Sequence, residues 1–376
     1  MTNGCMMVLV PNADRLQWLD MLRGFTILAM TFVNASIYLH DVGGADVASL
    51  LLHTPWTGFS AADAVFPGFV VIAGLSMALA LENSCAPERR RVLRVKLVWR
   101  AVKLLMVGFL VCNLDLFRGN VEADGGLRIM GVLQRLGMVS FCVGLSMIYQ
   151  TATRRLVVAV SILVLYGGLL LIRPPDGGYD LSTPGLDIAA WIDRKVLPDM
   201  LYVNGPHGYD PEGILSTLPA IAQGLIGALL IAPLRSCKTL SAWARLVGLG
   251  MTLVIGGLAL GALEPVCKGL WSPAFVLIST GTTLVAALLL IGASTSGLVM
   301  PMLMRRILMP VGEGAIFAYL LQEFGDEYLD YVPVDLSGDD GVLSPRILAL
   351  LVAAGFTATI WLVTFVVRRT GMTMRI

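Results

Sequence analysis

Apolar segments of about twenty residues recur along the whole chain, and they constrain its fold more than any other feature. A helix needs about 20 mostly apolar residues to cross the hydrocarbon core of a bilayer. Hydrophobic residues make up 56% of the chain and charged residues only 14%, against about 25% charged residues in soluble domains. The sequence therefore predicts an all-α, polytopic integral membrane bundle. Ten spans are predicted, at about 16–38, 63–82, 97–113, 128–149, 156–172, 212–232, 246–263, 272–293, 307–323 and 347–367.

The distribution of Lys and Arg predicts an orientation, because short cytoplasmic connections carry an excess of these residues. The bias places both termini in the cytoplasm and the connections 173–211 and 324–346 outside. These two are rich in Pro, Gly and Asp and are predicted to be surface loops or lids. We predict one membrane domain over 1–376. The net charge of +1 gives no indication of a nucleic-acid partner.

Ionisable residues inside predicted spans are costly in lipid and are therefore functional candidates. Asp20 and Arg23 are three residues apart and can pair on one helix face, either as a structural pair or at a cofactor entrance. Glu313 is the most deeply placed acid in the chain. Arg135, near an outer interface, is expected to extend its charged end to the interface. Asp63 is expected to cap the second span.

Three histidines are present, and the predicted orientation places all of them outside. His53 precedes Pro55 and Trp56, an aromatic suited to the membrane interface, although a single loop histidine is more often a bystander than a catalyst. The string YDPEG contains Asp210 and Glu212, which either begin the sixth span or face an outer cavity and bind a sugar. No Cys or His cluster indicates a metal site. The pattern from Gly257 to Gly261 indicates close helix packing, and a homo-oligomer is one reading of it.

Five sequence blocks, in the same order, resemble the heparan-alpha-glucosaminide N-acetyltransferase family. They are RLQWLDMLRGFTILAMTFVN at 15–34, HTPWTGFSAADAVFPGFVVIAG at 53–74, RIMGVLQR at 128–135, YDPEGILSTLPAI at 209–221 and KGLWSPAFVL at 268–277. The resemblance runs from about residue 15 to residue 376. Animal members carry a large lumenal domain before this region, so the chain is expected to be a minimal bacterial form in the cytoplasmic membrane.

The resemblance implies transfer of an acetyl group from cytoplasmic acetyl-CoA to an amine or hydroxyl of a sugar or glycan across the membrane. It implies that His53 is the catalytic histidine, Asn34 the active-site asparagine and Asp63 the partner of His53. These roles suit acyl transfer, because histidine titrates near neutral pH and an amide can donate to a developing oxyanion. The sequence leaves open whether an acetyl-histidine intermediate forms.

The chain departs from the family pattern at two positions. Thr57 and Glu313 stand where, or near where, the family commonly has Asn, and both are expected to affect the choice of acceptor. Trp56, Asp210, Glu212 and Glu313 are the predicted acceptor-binding residues. The phosphates of CoA require cationic contacts on the cytoplasmic side, and the predicted donors of those contacts are Arg100, Lys103, Arg94 and Arg23.

Two alternatives fit the same membrane topology. A ten-span bundle with scattered intramembrane acids also suits a transporter of a small solute, although no internal repeat is visible in the sequence. An acyltransferase of the same design could move a group other than acetyl. Membrane lipids are expected to surround the protein in either case.

Overall fold

A computed structural model describes residues 17–41, 44, 47–82, 87–117, 126–237, 239–295, 299–326, 329 and 344–371. The described residues form an all-α structure, in which β pairing is limited to isolated bridges. The helices are α1 (Gln17–Asp41), α2 (Val65–Leu81), α3 (Pro87–Cys112), α4 (Leu114–Phe117), α5 (Val132–Tyr149), α6 (Ala152–Leu170), α7 (Ile188–Val196), α8 (Thr217–Arg235), α9 (Leu240–Leu260), α10 (Pro273–Thr295), α11 (Val299–Glu313), α12 (Ala315–Gly325) and α13 (Pro345–Arg369).

Eight helices among the described residues are long and apolar enough to cross a membrane, so the prediction of a polytopic membrane bundle is confirmed. They are α1, α2 with the short turn before it, α5, α6, α8, α9, α10 and α13. The remaining two predicted spans, 97–113 and 307–323, also fall on helices. The first of these lies in α3, whose N-terminal half is rich in Arg and extends about ten residues beyond the predicted start.

The predicted span at 307–323 is wrong as a single helix, because the chain breaks at Gly314 into α11 and α12. Gly314 has a φ of −107° and a ψ of 24°, outside helical values. Pro310 supplies no N–H to the helix, and glycine disfavours the helical state, so the sequence weakens α11 at its end. Irregular backbone at membrane depth is tolerated where it is buried in protein or lines a cavity.

Glycines allow the central helices to approach one another at backbone distance. A Cβ atom at Gly74 of α2 would lie 2.0 Å from the carbonyl oxygen of Gly224 on α8, and one at Gly312 would lie 1.8 Å from that of Asp20 on α1. Small residues are common at helix contacts in membrane bundles, because helices in lipid gain no hydrophobic free energy from association and depend on close packing instead. Gly257 is used in the same way inside the chain, against Ala274 and Ile278 of α10. The glycine pattern that suggested an oligomer therefore packs α9 on α10, and the oligomeric state stays a prediction.

The connection 173–211, predicted to be a surface loop or lid, contains α7 and a buried cluster. Asp187 caps α7 by accepting a hydrogen bond from the Ala190 amide at 2.9 Å. Tyr166 of α6 donates to the Leu270 carbonyl at 2.6 Å beneath this segment. The outer connection thus forms a packed cover on the bundle. The second predicted loop, 324–346, lies mostly outside the described residues.

Candidate active site

His53 and Asp63 form the centre of the site. The His53 Nδ1 lies 2.8 Å from the Asp63 Oδ1. The side chain of Asp63 is fully buried, whereas 37% of the His53 side chain is exposed. A carboxylate on Nδ1 fixes the ring so that the proton stays on Nδ1 and Nε2 keeps its lone pair. This is the arrangement that a general base or nucleophile requires.

The string HTPWTGFSAAD folds around the carboxylate of Asp63 and fixes its orientation. Ser60 and Asp63 exchange hydrogen bonds in the pattern of a capping box: the Asp63 amide donates to Ser60 Oγ, and the Ser60 amide donates to Asp63 Oδ2. The Thr54 amide and hydroxyl also donate to Oδ2, at 3.2 and 3.0 Å. Oδ2 therefore holds the loop while Oδ1 faces His53. The contact with His53 is the one that the resemblance implies. The expected capping of the second span is wrong, because the Asp63 carboxylate accepts from the Thr54 and Ser60 amides, which precede α2, and the N-cap residue of α2 is Ala64.

A second loop, from Val266 to Ser272, packs against the His53 loop. The Gly58 amide donates to the Val266 carbonyl at 2.7 Å, and Thr57 and Cys267 form an isolated β-bridge. The Lys268 Nζ lies 3.1 Å from the His53 Nε2. The sequence block KGLW was recognised, but no role was predicted for its lysine.

Trp56 connects these two loops to the segment 173–211. Its indole N–H donates to the Leu181 carbonyl at 3.0 Å, and its ring meets Tyr209 edge to face at 5.1 Å. A Cβ at Gly269 would lie 2.5 Å from the Trp56 ring, so only glycine leaves room for this aromatic.

Asp210 and Glu212 are brought together by Arg128, which sequence reasoning did not single out. The Arg128 guanidinium donates to both oxygens of Asp210, at 3.0 and 2.7 Å, and to Glu212 Oε2 at 2.6 Å. It also lies over the Tyr202 ring at 4.6 Å. Burial opposes the charge on Arg128, but the two carboxylates raise its pKa above the usual range. Because α8 begins at Thr217, the reading that these acids begin the helix is wrong.

Arg135 is fully buried, so the expectation that it reaches the interface is wrong. Its guanidinium lies 4.6 Å from the centre of the Trp271 ring and donates to Ser216. Its Nε and Nη1 atoms have no hydrogen-bond partner among the described residues. Trp271 itself is fully buried with a φ of 52°, an unusual conformation for a bulky residue that often marks functional sites.

A cavity of about 310 Å³ lies between α1, α2, α3, α5 and the break between α11 and α12. At one end it is lined by Arg23, Ser76, Arg100 and Glu313, and at the other by Met30, Phe66, Val132 and Tyr319. Phe66 is one helical turn after Asp63. The cavity therefore runs from a cationic end toward the His53 site through mainly apolar walls.

Asn34 lies on the cavity-lining face of α1. Arg23, Ile27 and Met30 line the cavity, and Asn34 follows Met30 at the next helical turn. The rise from Arg23 to Asn34 is about 16 Å at 1.5 Å per residue. No hydrogen bond joins the half-buried Asn34 side chain to another described residue. Asn34 itself is not among the lining residues of the cavity, and its predicted role as oxyanion donor stays a prediction.

The predicted CoA-binding residues divide into two groups. Arg23 pairs with Asp20 at 2.8 Å, as the spacing predicts, and its guanidinium also reaches Ser76. Arg100 lines the same end of the cavity, whereas Arg94 and Lys103 are exposed on α3 and are not among its lining residues. Glu313, predicted to contact the acceptor, also lines this cationic end and pairs with Arg368. It is placed away from Asp210 and Glu212.

Metal ligands are not grouped anywhere in the described part of the chain: no three His, Cys, Asp or Glu side chains there could hold an ion. The chemistry of the site is built from an imidazole, carboxylates, a lysine and arginines.

Comparison with known proteins gives a consistent result. Residues 15–193 match the family model described as heparan-alpha-glucosaminide N-acetyltransferase, catalytic. The predicted resemblance is confirmed. That range contains α1, the His53 loop, Asp63 and the cavity-lining parts of α2, α3 and α5. It ends in α7, before the loop that carries Lys268.

Two curated relatives extend the similarity over more of the chain. Heparan-alpha-glucosaminide N-acetyltransferase from Homo sapiens is 30% identical over 318 residues, covering 70% of this chain and 46% of the relative. The protein of the same name from Mus musculus is 27% identical over 322 residues, covering 70% of this chain and 47% of the relative. The chain thus spans about half the length of the curated relatives it matches.

Proposed function

We propose that the protein is a transmembrane acetyltransferase, which takes an acetyl group from acetyl-CoA on one side and delivers it to a sugar or glycan on the other. The observation that supports this proposal most strongly is the cavity with two chemically different ends. Arginines line one end, and the His53–Asp63 pair lies beyond the other. The similarity to relatives named N-acetyltransferases supports the choice of acyl group and acceptor class.

The arginine end suits the donor. CoA carries phosphates, which guanidinium groups bind through charge-assisted hydrogen bonds. We assign Arg23 and Arg100 to direct contacts with the CoA phosphates, because both line the cavity. Arg94 and Lys103 are exposed on α3, and we assign them to electrostatic attraction of CoA toward the cavity. The apolar walls near Ile27 and Phe66 suit the extended arm that carries the thioester of acetyl-CoA.

The histidine end suits acyl transfer. His53 removes a proton from the acceptor nitrogen or oxygen as that atom attacks the thioester carbonyl. The carbon–sulfur bond then breaks, and the CoA thiolate takes the proton from the imidazolium. Asn34 is assigned to donate a hydrogen bond to the oxyanion. In the alternative route, Nε2 first accepts the acetyl group and CoA leaves before the acceptor attacks; both routes require a neutral ring oriented by Asp63.

The loops around His53 are assigned to the acceptor. Trp56, with its neighbour Tyr209, offers an aromatic surface beside the exposed ring. Asp210 and Glu212 form ion pairs with Arg128 and are the acidic groups on this side of the site. The Lys and Arg distribution supports an orientation with this end outside the cytoplasm. In a bacterium, this corresponds to the inner membrane with an acceptor in the periplasm.

The test is transfer of labelled acetyl from acetyl-CoA to glucosamine by the purified protein in detergent. We expect transfer by the wild type and a loss of at least about 10³-fold in His53→Ala, because the base is removed. His207→Ala is the matched control, since His207 is an exposed histidine in the outer connection, and it should keep full activity. Full activity in His53→Ala would contradict the site assignment, and uptake of solute into vesicles without acyl transfer would favour a transporter.

A further inference from the structure

Lys268 lies close to His53 Nε2 and has no role in the acetyl transfer proposed for this site. Its Nζ lies 3.1 Å from His53 Nε2, 3.3 Å from His53 Nδ1 and 4.0 Å from Asp63 Oδ1. The lysine is 215 residues away from His53 in sequence. A functional explanation is needed because a cation is held against an imidazole that must stay uncharged to act as a base.

The two distances to the ring define where the ammonium lies. A donor on the in-plane lone-pair axis of Nε2 would be far from Nδ1, on the other side of the ring. Because both distances are nearly equal, the Lys268 ammonium lies over the ring rather than on that axis. The in-plane lone pair of Nε2 therefore stays available for a proton or an acyl group.

The backbone around Lys268 is held rigidly. The Trp271 amide donates to the Lys268 carbonyl at 3.0 Å, which closes a tight turn. Trp271 adopts its positive φ inside this turn, and its indole N–H donates to Gln223 Oε1 at 2.9 Å in the buried core. Residues in sparsely populated conformations persist only where the surrounding structure fixes them. These contacts fix the backbone from which the Lys268 side chain extends toward His53.

The charged groups that face Lys268 come from several elements. They are Asp63 at the start of α2, Glu212 before α8, Arg135 on α5 and the His53 ring itself. Burial lowers the pKa of Lys268, and Asp63 and Glu212 oppose this effect. Burial likewise opposes ionisation of Glu212, but Arg128 and Arg135 lower its pKa below the usual range. Charged carboxylates thus favour the ammonium form of the lysine.

We propose that Lys268 is a positioning residue for His53, whose ammonium fixes the ring over the Asp63 carboxylate and opposes ring protonation. This proposal rests on the proposed function of His53. Asp63 by itself would favour the imidazolium form, because an opposite charge stabilises an ionised neighbour. A second cation next to the ring disfavours that form. Lys268 thereby allows the orienting carboxylate to be present without leaving His53 protonated before the reaction.

The first test measures the ring directly, without any substrate. Only three histidines occur in the chain, so their ring signals can be followed by NMR with labelled histidine in detergent and the His53 signal assigned by its loss in His53→Asn. In Lys268→Met, we expect the titration midpoint of the His53 ring to rise by about one pH unit, the scale on which a nearby charge acts. Lys268→Arg keeps the charge, and Lys195→Met changes an exposed lysine on α7; neither should move the midpoint.

An unchanged midpoint in Lys268→Met would overturn the proposal, as would an equal rise in Lys268→Arg. Lys268→Gln serves as a second neutral variant if the methionine variant does not fold.

The second test is the pH dependence of acetyl transfer. We expect the acidic limb of the profile to move up by the same interval in Lys268→Met, whereas an equal loss at every pH would indicate a purely structural role and contradict the proposal. If the wild type transfers no acetyl group, the proposed function fails, and the ring titration still decides the role of Lys268.

Discussion

At the scale of the residue, the chemistry depends on which atoms of a side chain are already engaged. Asp63 uses Oδ2 to hold Thr54 and Ser60 and leaves Oδ1 for His53. His53 in turn uses Nδ1 for Asp63, and its ring remains partly exposed. The local hydrogen bonds of the string from His53 to Asp63 therefore favour the tautomer that carries its proton on Nδ1.

Arg100 tests the assignment of the donor end. In Arg100→Gln, we expect the KM for acetyl-CoA to rise by about tenfold, since a charge-assisted hydrogen bond to phosphate contributes about 1.5 kcal/mol or more. The turnover number and the KM for the sugar should stay close to wild type, because His53 is untouched. Steady-state kinetics with each substrate varied would measure this.

Arg94→Gln is the matched control, because Arg94 lies on the same helix with an exposed side chain and is not a lining residue of the cavity. A larger effect in Arg94→Gln than in Arg100→Gln would place the phosphates outside the cavity and contradict the assignment.

The buried carboxyl of Asp193 is expected to make the stability of the folded protein depend on pH. It is buried on α7 and accepts from the Ile214 amide at 3.0 Å, and burial raises its pKa from 3.8 to about 7. Because the folded state binds the proton more tightly than the unfolded state does, this carboxyl lowers stability progressively as the pH rises from about 4 to about 7. Asp193→Asn removes the titration, so its advantage in Tm over wild type should grow between pH 5 and pH 8 by about 3 °C or more.

Thermal unfolding in detergent, monitored by intrinsic fluorescence at both pH values, measures this difference. Asp180→Asn is the control, because hydrogen bonds from Thr183 and Ser182 lower the pKa of Asp180, so that it stays ionised between pH 5 and pH 8. Its Tm difference from wild type should not change over the same range. A difference for Asp193→Asn that does not grow with pH would show that Asp193 is ionised in the folded protein at neutral pH.

At the scale of the element, the sequence predicted most of the helices but not their interruptions. The length of the continuous apolar segments was enough to locate α1, α2, α5 and the later spans, since a membrane-spanning helix is apolar along its whole length. The break at Gly314 escaped this criterion, because Gly and Pro occur in continuous membrane helices as well. The helix α7 also escaped it, because its nine residues are amphipathic and are buried by contacts with distant segments.

Gly74 tests how closely α2 and α8 pack. In Gly74→Ala, the added Cβ would lie 2.0 Å from the Gly224 carbonyl oxygen, so the helices must separate. Overpacking of this kind costs about 1–3 kcal/mol, and we expect the Tm to fall by about 5 °C. Gly248→Ala makes the same change on α9, where nothing lies within 4 Å of the new atom.

The control variant should be as stable as wild type or slightly more stable, because alanine favours the helix. Equal Tm values for the two variants in thermal unfolding would show that α2 and α8 are not in backbone contact.

At the scale of the whole molecule, the candidate active site joins segments that lie far apart in the sequence. The roles predicted for His53, Asp63 and Asn34 come from short blocks that resemble the family, and the structure places His53 next to Asp63. Lys268 and Arg128 could not be assigned, because a lone basic residue in an outer connection has no local pattern that reveals its partner. Their partners became visible only when the bundle brought the loops before α2, α5, α8 and α10 together.

The cavity is also a property of the whole bundle, since four helices and the break between α11 and α12 contribute to its walls. A donor held by Arg23 and Arg100 and an acceptor beside His53 would occupy opposite ends of one passage. The proposed reaction therefore uses a donor from one compartment and an acceptor from the other.

Sealed proteoliposomes test this claim directly, with the orientation of the protein determined from protease cleavage of a C-terminal tag. Acetyl-CoA is supplied on the side of the tag and glucosamine on the opposite side, and acetylated sugar is measured in each compartment. We expect product on the glucosamine side in this arrangement and none when the two substrates are exchanged. Product formed only when both substrates share one compartment would contradict transfer across the membrane.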